Sequence, residues 1–461
     1  MSKRISSAFI VAIVVILTSA TARAETFYAY LSGAQEVPAV ATNATGYARI
    51  FVNESTGQLT FTVVFNGLSS TQTASHIHAP GAIGASAGVA INFGAVGGTS
   101  GTVSGTTTIT PTQLSQLRAH LGYVNVHSTN FGGGEIRGQL GSKRPVDFDG
   151  DGRNDLSVLR FPNVAPPGVA QITFYNQNST SGFSGTFWGD ANTDFPVPGD
   201  YDGDGKDDIA VYRSGTTTGS DNFFLILRSS NNTPLYIRYG VRDDTPVARD
   251  YDGDGITDPA VFRRGATAGA QAFWYIRQSR FGNTDRSVPF GTTGNSTTGS
   301  GDEPVAGDYD GDGKFDIAVY RHGGISPDNT YIVQRSSDNV VIYQPWGNFN
   351  TDYVLPGDYD GDGKCDFAVA RTGALSSSQV TWIILQSSNG AVRYQPFGIT
   401  SDLMVQGDYD GDARTDIAVF RQGPTTGTNN VFYVLNSFSN TVSGAAFGLR
   451  GDFPVNTFDA R

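Results

Sequence analysis

Residues 200–208 read DYDGDGKDD, and five more stretches repeat that pattern without gaps. They are DFDGDGRND from Asp147, DYDGDGITD from Asp250, DYDGDGKFD from Asp308, DYDGDGKCD from Asp358 and DYDGDARTD from Asp408. A fixed period near 50 residues marks a repeat architecture, in which each unit is one supersecondary element. Each acidic stretch is followed by a short β-type run and then an arginine: Arg160, Arg213, Arg263, Arg321, Arg371 and Arg421. In the second copy, residues 209–212, 222–228 and 234–239 read as three strands, and 245–249 as a short fourth that leads into the next loop. An aromatic–glycine pair closes the third strand each time, as in Tyr239-Gly240 and Trp346-Gly347.

Four short antiparallel strands per repeat describe a propeller blade, which buries its faces only against neighbouring blades. The short fourth segment occurs seven times, from Pro145-Val146 to Pro454-Val455, and the other elements six times. The surplus copy predicts ring closure, with one blade built from both ends of the repeat region. Six blades are expected, with seven as the alternative.

The acidic pattern is D-x-D-G-D-G-x-x-D. Carboxylates at positions 1, 3, 5 and 9 and a carbonyl at position 7 make a ring of hard oxygens, the donor set calcium prefers. The candidate ligands are Asp147, Asp149, Asp151, Arg153 and Asp155 in the first loop, and Asp200, Asp202, Asp204, Lys206 and Asp208 in the second. The third has Asp250, Asp252, Asp254, Ile256 and Asp258, and the fourth Asp308, Asp310, Asp312, Lys314 and Asp316. The fifth has Asp358, Asp360, Asp362, Lys364 and Asp366, and the sixth Asp408, Asp410, Asp412, Arg414 and Asp416. The position-7 residue contributes its backbone carbonyl in every loop. About six calcium ions are expected. Magnesium demands a tighter octahedron, and the absence of histidine from the loops disfavours zinc or copper there. Position 12, where an EF-hand needs glutamate, is valine throughout: Val158, Val211, Val261, Val319, Val369 and Val419. Ala413 replaces the turn glycine of the sixth loop and predicts its weakness.

These repeats resemble the FG-GAP (or VCBS) family known from integrin α-chain heads and bacterial surface proteins. The resemblance runs over about 145–461. It implies a propeller with structural calcium at the blade loops and ligand binding through other loops. Integrin heads have seven blades.

Residues 25–140 have a different composition, with no acidic repeat and four of the five histidines. Three segments, LSGAQEVP at 31–38, SHIHAPG at 75–81 and YVNVHSTNFGGGEIRGQL at 123–140, resemble the CHRD family, first named from chordin. That resemblance implies an extracellular β-sandwich with no known catalysis. Residues 111–121 are the one helix candidate, with Thr110 as N-cap and His120 as a cation near the C-terminal end. Residues 141–144 read as a linker. His76 and His78 alternate on a strand and so face one side. With His127 and Glu135 they make a candidate copper or zinc site.

Residues 1–24 carry Lys3 and Arg4, an apolar run over 8–17 and Ala22-Arg23-Ala24, the pattern of a secretory signal peptide. A mature chain from about Glu25, outside the cytoplasm or at the cell surface, is expected, with no membrane span. The net charge of −12 argues against nucleic acid as partner. A single cysteine, Cys365, excludes an internal disulfide. It reads as an incidental, partly exposed thiol.

The fold class expected is all-β: a CHRD-like sandwich, then a calcium-binding propeller. The function expected is a non-catalytic display platform for an extracellular protein or glycan. A lectin-like propeller is one alternative, with sugar stacking by tryptophans set against blade packing. An enzyme is the other, using the histidine metal site or a carboxylate pair of glycosidase type. Arg450-Gly451-Asp452 spells an adhesion tripeptide, but its aspartate falls at a repeat position also acidic at Asp194, Asp244, Glu303, Asp352 and Asp402. The six arginines are expected to pair with such neighbours.

Overall fold

The computed structural model describes residues 24–53, 56–82, 84–118, 121–141, 146–161, 170–179, 181–253, 255–279, 282–294, 301–323, 328–348 and 352–456. Residues 1–23, where a signal peptide is expected, His120, residues 142–144 and Asp254 lie outside them.

The N-terminal domain differs from the sandwich expected of it. Its strands are β1 (Ala24–Ser32), β2 (Thr45–Asn53), β3 (Gln58–Asn66), β4 (Gln72–His78), β5 (Val89–Gly94), β6 (Gly101–Thr108), β7 (Tyr123–Ser128) and β8 (Ile136–Gln139). They form one continuous sheet in the order β5-β4-β7-β8-β1-β2-β3-β6. The sheet curls like a barrel, so that Phe93 of β5 stacks on Phe61 of β3 at 3.9 Å. A curled sheet buries one face of each strand against itself, which explains the strict alternation. Ala48, Ile50 and Val52 of β2 and Val124 and Val126 of β7 fill the interior, nearly all of it inaccessible to solvent. The helix α1 (Pro111–Arg118) is shorter than 111–121. Thr110 caps it as expected: its Oγ1 accepts from the Gln113 amide, and Gln113 Oε1 accepts from the Thr110 amide in return.

Six four-stranded sheets follow, so the ring has six blades and not seven. The first contains β9 (Leu156–Arg160), β10 (Gln171–Asn178) and β11 (Gly182–Asp190). Its fourth strand is Phe453–Pro454 at the other end of the repeat region, as the surplus element predicts. The second blade runs β12 (Asp194–Pro196), β13 (Ile209–Arg213), β14 (Asp221–Leu227) and β15 (Pro234–Val241). Here the blade is offset from the sequence repeat. The short segment at Thr245–Pro246 pairs with Ala260–Arg263 and opens the third blade instead of closing the second.

Blades seal through their apolar faces. Trp274 and Trp382 are fully buried, and Trp188 and Trp346 donate their indole N–H to carbonyls of the following blade, Leu225 and Ile383. The tryptophans therefore serve blade packing. The aromatic–glycine pair marks a bulge in the outer strand. Gly240 has φ +86°, and a Cβ there would collide with Tyr212 Oη and lie 3.1 Å from Val261 of the next blade. Among the described residues no helix is long and apolar enough to cross a membrane.

Candidate functional site

The turn glycines of each acidic loop let the chain fold back on its own first aspartate. In the second loop Asp200 Oδ1 accepts from the Gly203 amide at 2.6 Å and Oδ2 from the Gly205 amide at 2.8 Å. The ninth residue locks the other end: Asp208 Oδ2 accepts from the Tyr201 amide. This winding draws positions 1, 3 and 9 together. Asp147/Asp149/Asp155, Asp200/Asp202/Asp208, Asp250/Asp252/Asp258 and Asp308/Asp310/Asp316 each bring three ligand oxygens within 4.8 Å of one another. That spacing matches a cation with oxygen distances of about 2.3–2.6 Å.

The described position-5 carboxylates each have one oxygen held by a side chain from outside the loop. Asp204, Asp312, Asp362 and Asp412 each accept from a serine hydroxyl: Ser229, Ser336, Ser387 and Ser437. The same serines donate their amides to position 9, as Ser387 does to Asp366 at 2.7 Å. A following serine reaches position 3: Ser230, Ser337 and Ser388 donate to Oδ2 of Asp202, Asp310 and Asp360. These serines sit on the hairpin that folds over the loop. Their signal in the sequence is the paired serines in RSS, RSS and QSS at 228–230, 335–337 and 386–388.

The donor set fits a hard divalent cation. The second oxygen of Asp202, of Asp310 and of Asp360 is buried without a hydrogen-bond partner. Such an atom is costly unless something positive meets it. Burial, then the neighbouring carboxylates, pushes Asp155 and Asp366 up to about 8 and Asp208 and Asp316 up to about 7. A cation among them would reverse that trend. Arg153 adds its guanidinium to Asp151 at 3.1 Å, a side-chain role beyond the carbonyl expected of it. Ala413 adopts the left-handed conformation of the glycines, at φ +71°, and keeps the 2.9 Å bond to Asp408 Oδ2. The sixth loop therefore closes, at the expense of strain in an L-residue.

The loops are joined into a ring. The position-8 amide of each donates to the position-1 carbonyl of its neighbour: Asn154 to Asp408, Asp207 to Asp147, Thr257 to Asp200, Phe315 to Asp250, Cys365 to Asp308 and Thr415 to Asp358, at 2.6–2.9 Å. The ring surrounds an axial cavity of about 250 Å³. Cys365 lines that cavity, and burial followed by Asp308, Asp358 and Asp366 pushes its thiol up.

The N-terminal domain is seated on this ring. Arg49 Nη2 donates to Gly203 O at 2.7 Å, Gln35 Nε2 donates to Gly411 O at 3.2 Å, and Thr26 packs on Gly255. The acidic face is thus covered. The opposite face presents the loops over 214–220, 264–270, 372–378 and 422–428, rich in glycine and hydroxyl side chains.

The six arginines each grip an aspartate: Arg160–Asp452, Arg213–Asp194, Arg263–Asp244, Arg321–Asp302, Arg371–Asp352 and Arg421–Asp402. In the fourth blade the partner is Asp302 and not Glu303, which lies 3.5 Å from His322 instead. Asp452 is 2% exposed, so the Arg450-Gly451-Asp452 tripeptide offers no free carboxylate.

His76, His78 and His127 come together, with ligand nitrogens within 4.8 Å. Glu135 does not join them. Its carboxylate accepts from Thr42, Ser69 and Ser128, and these bonds outweigh burial to hold it below the usual range. Sequence proximity suggested a ligand where the fold needed an acceptor for three hydroxyls.

The CHRD domain model matches residues 27–140, and the FG-GAP-like repeat model matches 250–319. The chain thus carries a CHRD domain at 27–140 and, within its six-bladed propeller, an FG-GAP-like repeat at 250–319. No curated protein matches it. Among solved structures, a candidate 6-phosphogluconolactonase from Bacteroides uniformis aligns over 65% of this chain and 98% of its own, at 12% identity and a TM-score of 0.35. A eukaryotic initiation factor aligns over 94% and 98%, at 10% identity and a TM-score of 0.25. Both are too distant to bear on activity.

Proposed function

We propose that this protein is an extracellular, non-catalytic binding scaffold whose propeller is held together by about six calcium ions. The observation that carries the reading is the closed ring of acidic loops, each bonded to the next, with buried carboxylate oxygens left for a cation. Calcium in that ring would stiffen the seat of the CHRD domain and all six blades at once. A cation that binds only the folded state adds about 2.7 kcal/mol per site at a hundredfold excess over its Kd. Six such terms offset the missing disulfides. Secretion through the N-terminal apolar segment supplies both the calcium and the exposure to partners.

The ligand docks on the face opposite the ring, because the CHRD domain covers the acidic face. Loops with many hydroxyls and glycines suit hydrogen-bonded recognition of a polar protein surface. A glycan reading has its own support. Tyr236, Tyr343 and Tyr394 stand at one register of three outer strands and are 62–67% exposed, flat faces on which a sugar can stack. A glycan array and an extracellular-protein array, probed in calcium, separate the two. Replacing loop 372–378 with glycine-serine should abolish protein capture and spare glycan capture. Substituting Tyr236, Tyr343 and Tyr394 by alanine should do the reverse. Loss of neither would remove both docking assignments.

A further inference from the structure

The histidines of the CHRD domain carry an inference independent of calcium. Strand alternation turns Ile77, Val124 and Val126 inward and leaves His76, His78 and His127 on the outer face of β4 and β7. Loops then fold over them, so that His78 and His127 are 9% and 8% exposed while His76 stays half-buried.

Two of the rings are fixed in one tautomer. His78 Nδ1 lies 2.9 Å from Ala87 O, and His127 Nδ1 lies 3.0 Å from Gly132 O. A carbonyl only accepts, so both Nδ1 atoms carry hydrogen and both Nε2 atoms present lone pairs. This is the outer support that metal-bound histidines show. His78 Nε2 is buried with no partner at all. Its ring is held by stacking on Tyr123 at 4.9 Å, and Tyr123 in turn lies under Arg137 at 3.4 Å. His76 Nδ1 is 3.0 Å from His127 Nε2. His76 and His127 thus share one hydrogen bond through facing nitrogens, His78 Nε2 has none, and ligand nitrogens of all three lie within 4.8 Å of one another.

We propose that His76, His78 and His127 form a mononuclear transition-metal site that takes copper(II), and zinc(II) less tightly. Three neutral imidazoles are a borderline donor set, and copper exceeds zinc in intrinsic affinity for such sites. On binding, the His76 proton moves from Nδ1 to Nε2, so no net charge is lost from the ligands. The half-buried side at His76 leaves a fourth position for water.

The test uses the full, tag-free chain in saturating calcium, titrated with copper(II) chloride and followed by elemental analysis and electron paramagnetic resonance. One copper per chain with a three-nitrogen spectrum is expected. H78Q and H127Q should weaken it by at least about tenfold. H76Q, at the open side, should do the same without changing the melting curve, which separates ligation from folding. H322Q in the propeller should change nothing. Absence of stoichiometric copper, an oxygen-only spectrum, or an unaltered spectrum in H76Q and H78Q would overturn the site.

Discussion

Arg160 and Asp452 are 292 residues apart and meet through two hydrogen bonds of 2.8 Å, Nε to Oδ1 and Nη2 to Oδ2. The same fork recurs once in every blade, but only this one joins the two ends of the repeat region. It lies beside the pairing of Phe453–Pro454 with β9 and latches the ring. Asp452 is buried and its Oδ2 also accepts from the Leu449 amide, so the aspartate is committed to closure.

Asp452→Asn should therefore destabilise the protein by about 1–3 kcal/mol, the range for a hydrogen-bonded charge pair whose arginine is partly hydrated. Asp244→Asn, in the third blade, removes a fork of equal geometry away from the latch. Denaturant melts should show similar losses for both. Limited proteolysis near 449–456 should accelerate in Asp452→Asn alone.

Ala413 sits at φ +71° in a turn where the other loops have glycine. Ala413→Gly should relieve about 1 kcal/mol of left-handed strain and raise the melting temperature. An unchanged or lower melt would show that the sixth loop has adapted to the alanine.

Ser387 holds Asp362 through its hydroxyl and Asp366 through its amide. Ser387→Ala removes only the first bond and should cost about 1 kcal/mol. The effect should shrink in chelator, where the loop is no longer held by an ion, and a cycle of melts with and without calcium measures it.

The pH response should change sign with calcium. Without the ion, Asp155 and Asp366 titrate at about 8 when folded, against an ordinary 3.8. Groups raised in this way stabilise the fold below about pH 4, and that contribution is lost as pH rises through about 7–8. The chelated protein should melt at a lower temperature at pH 8 than at pH 5. With calcium, protons compete with the ion, and pH 8 should give the higher melt. Parallel pH trends in the two conditions would contradict carboxylate ligation.

Calcium should also control the seating of the CHRD domain, because Arg49 and Gln35 hold backbone carbonyls of two acidic loops. Chelation, or Arg49→Ala in calcium, should increase the radius of gyration measured by X-ray scattering.

Much of this was legible in the sequence because a repeat fixes its own period. The six loops, the buried valines at position 12 and the closure by the surplus segment follow from spacing alone. The blade offset does not, since the segment at 245–246 is equally close to both blades along the chain. The continuous curl of the CHRD sheet also escapes, because alternation reports a buried face without saying what covers it. At the sites, aspartates announced themselves by density. The serines that orient them come from another hairpin, and the role of Glu135 escapes because adjacency to His127 hides which way a side chain turns.

The most direct measurement is calcium per chain by elemental mass spectrometry on protein purified without chelator, paired with a melt in chelator. The account predicts about six ions and a fall in melting temperature of at least about 10 °C on chelation. No bound calcium and an unchanged melt would contradict it.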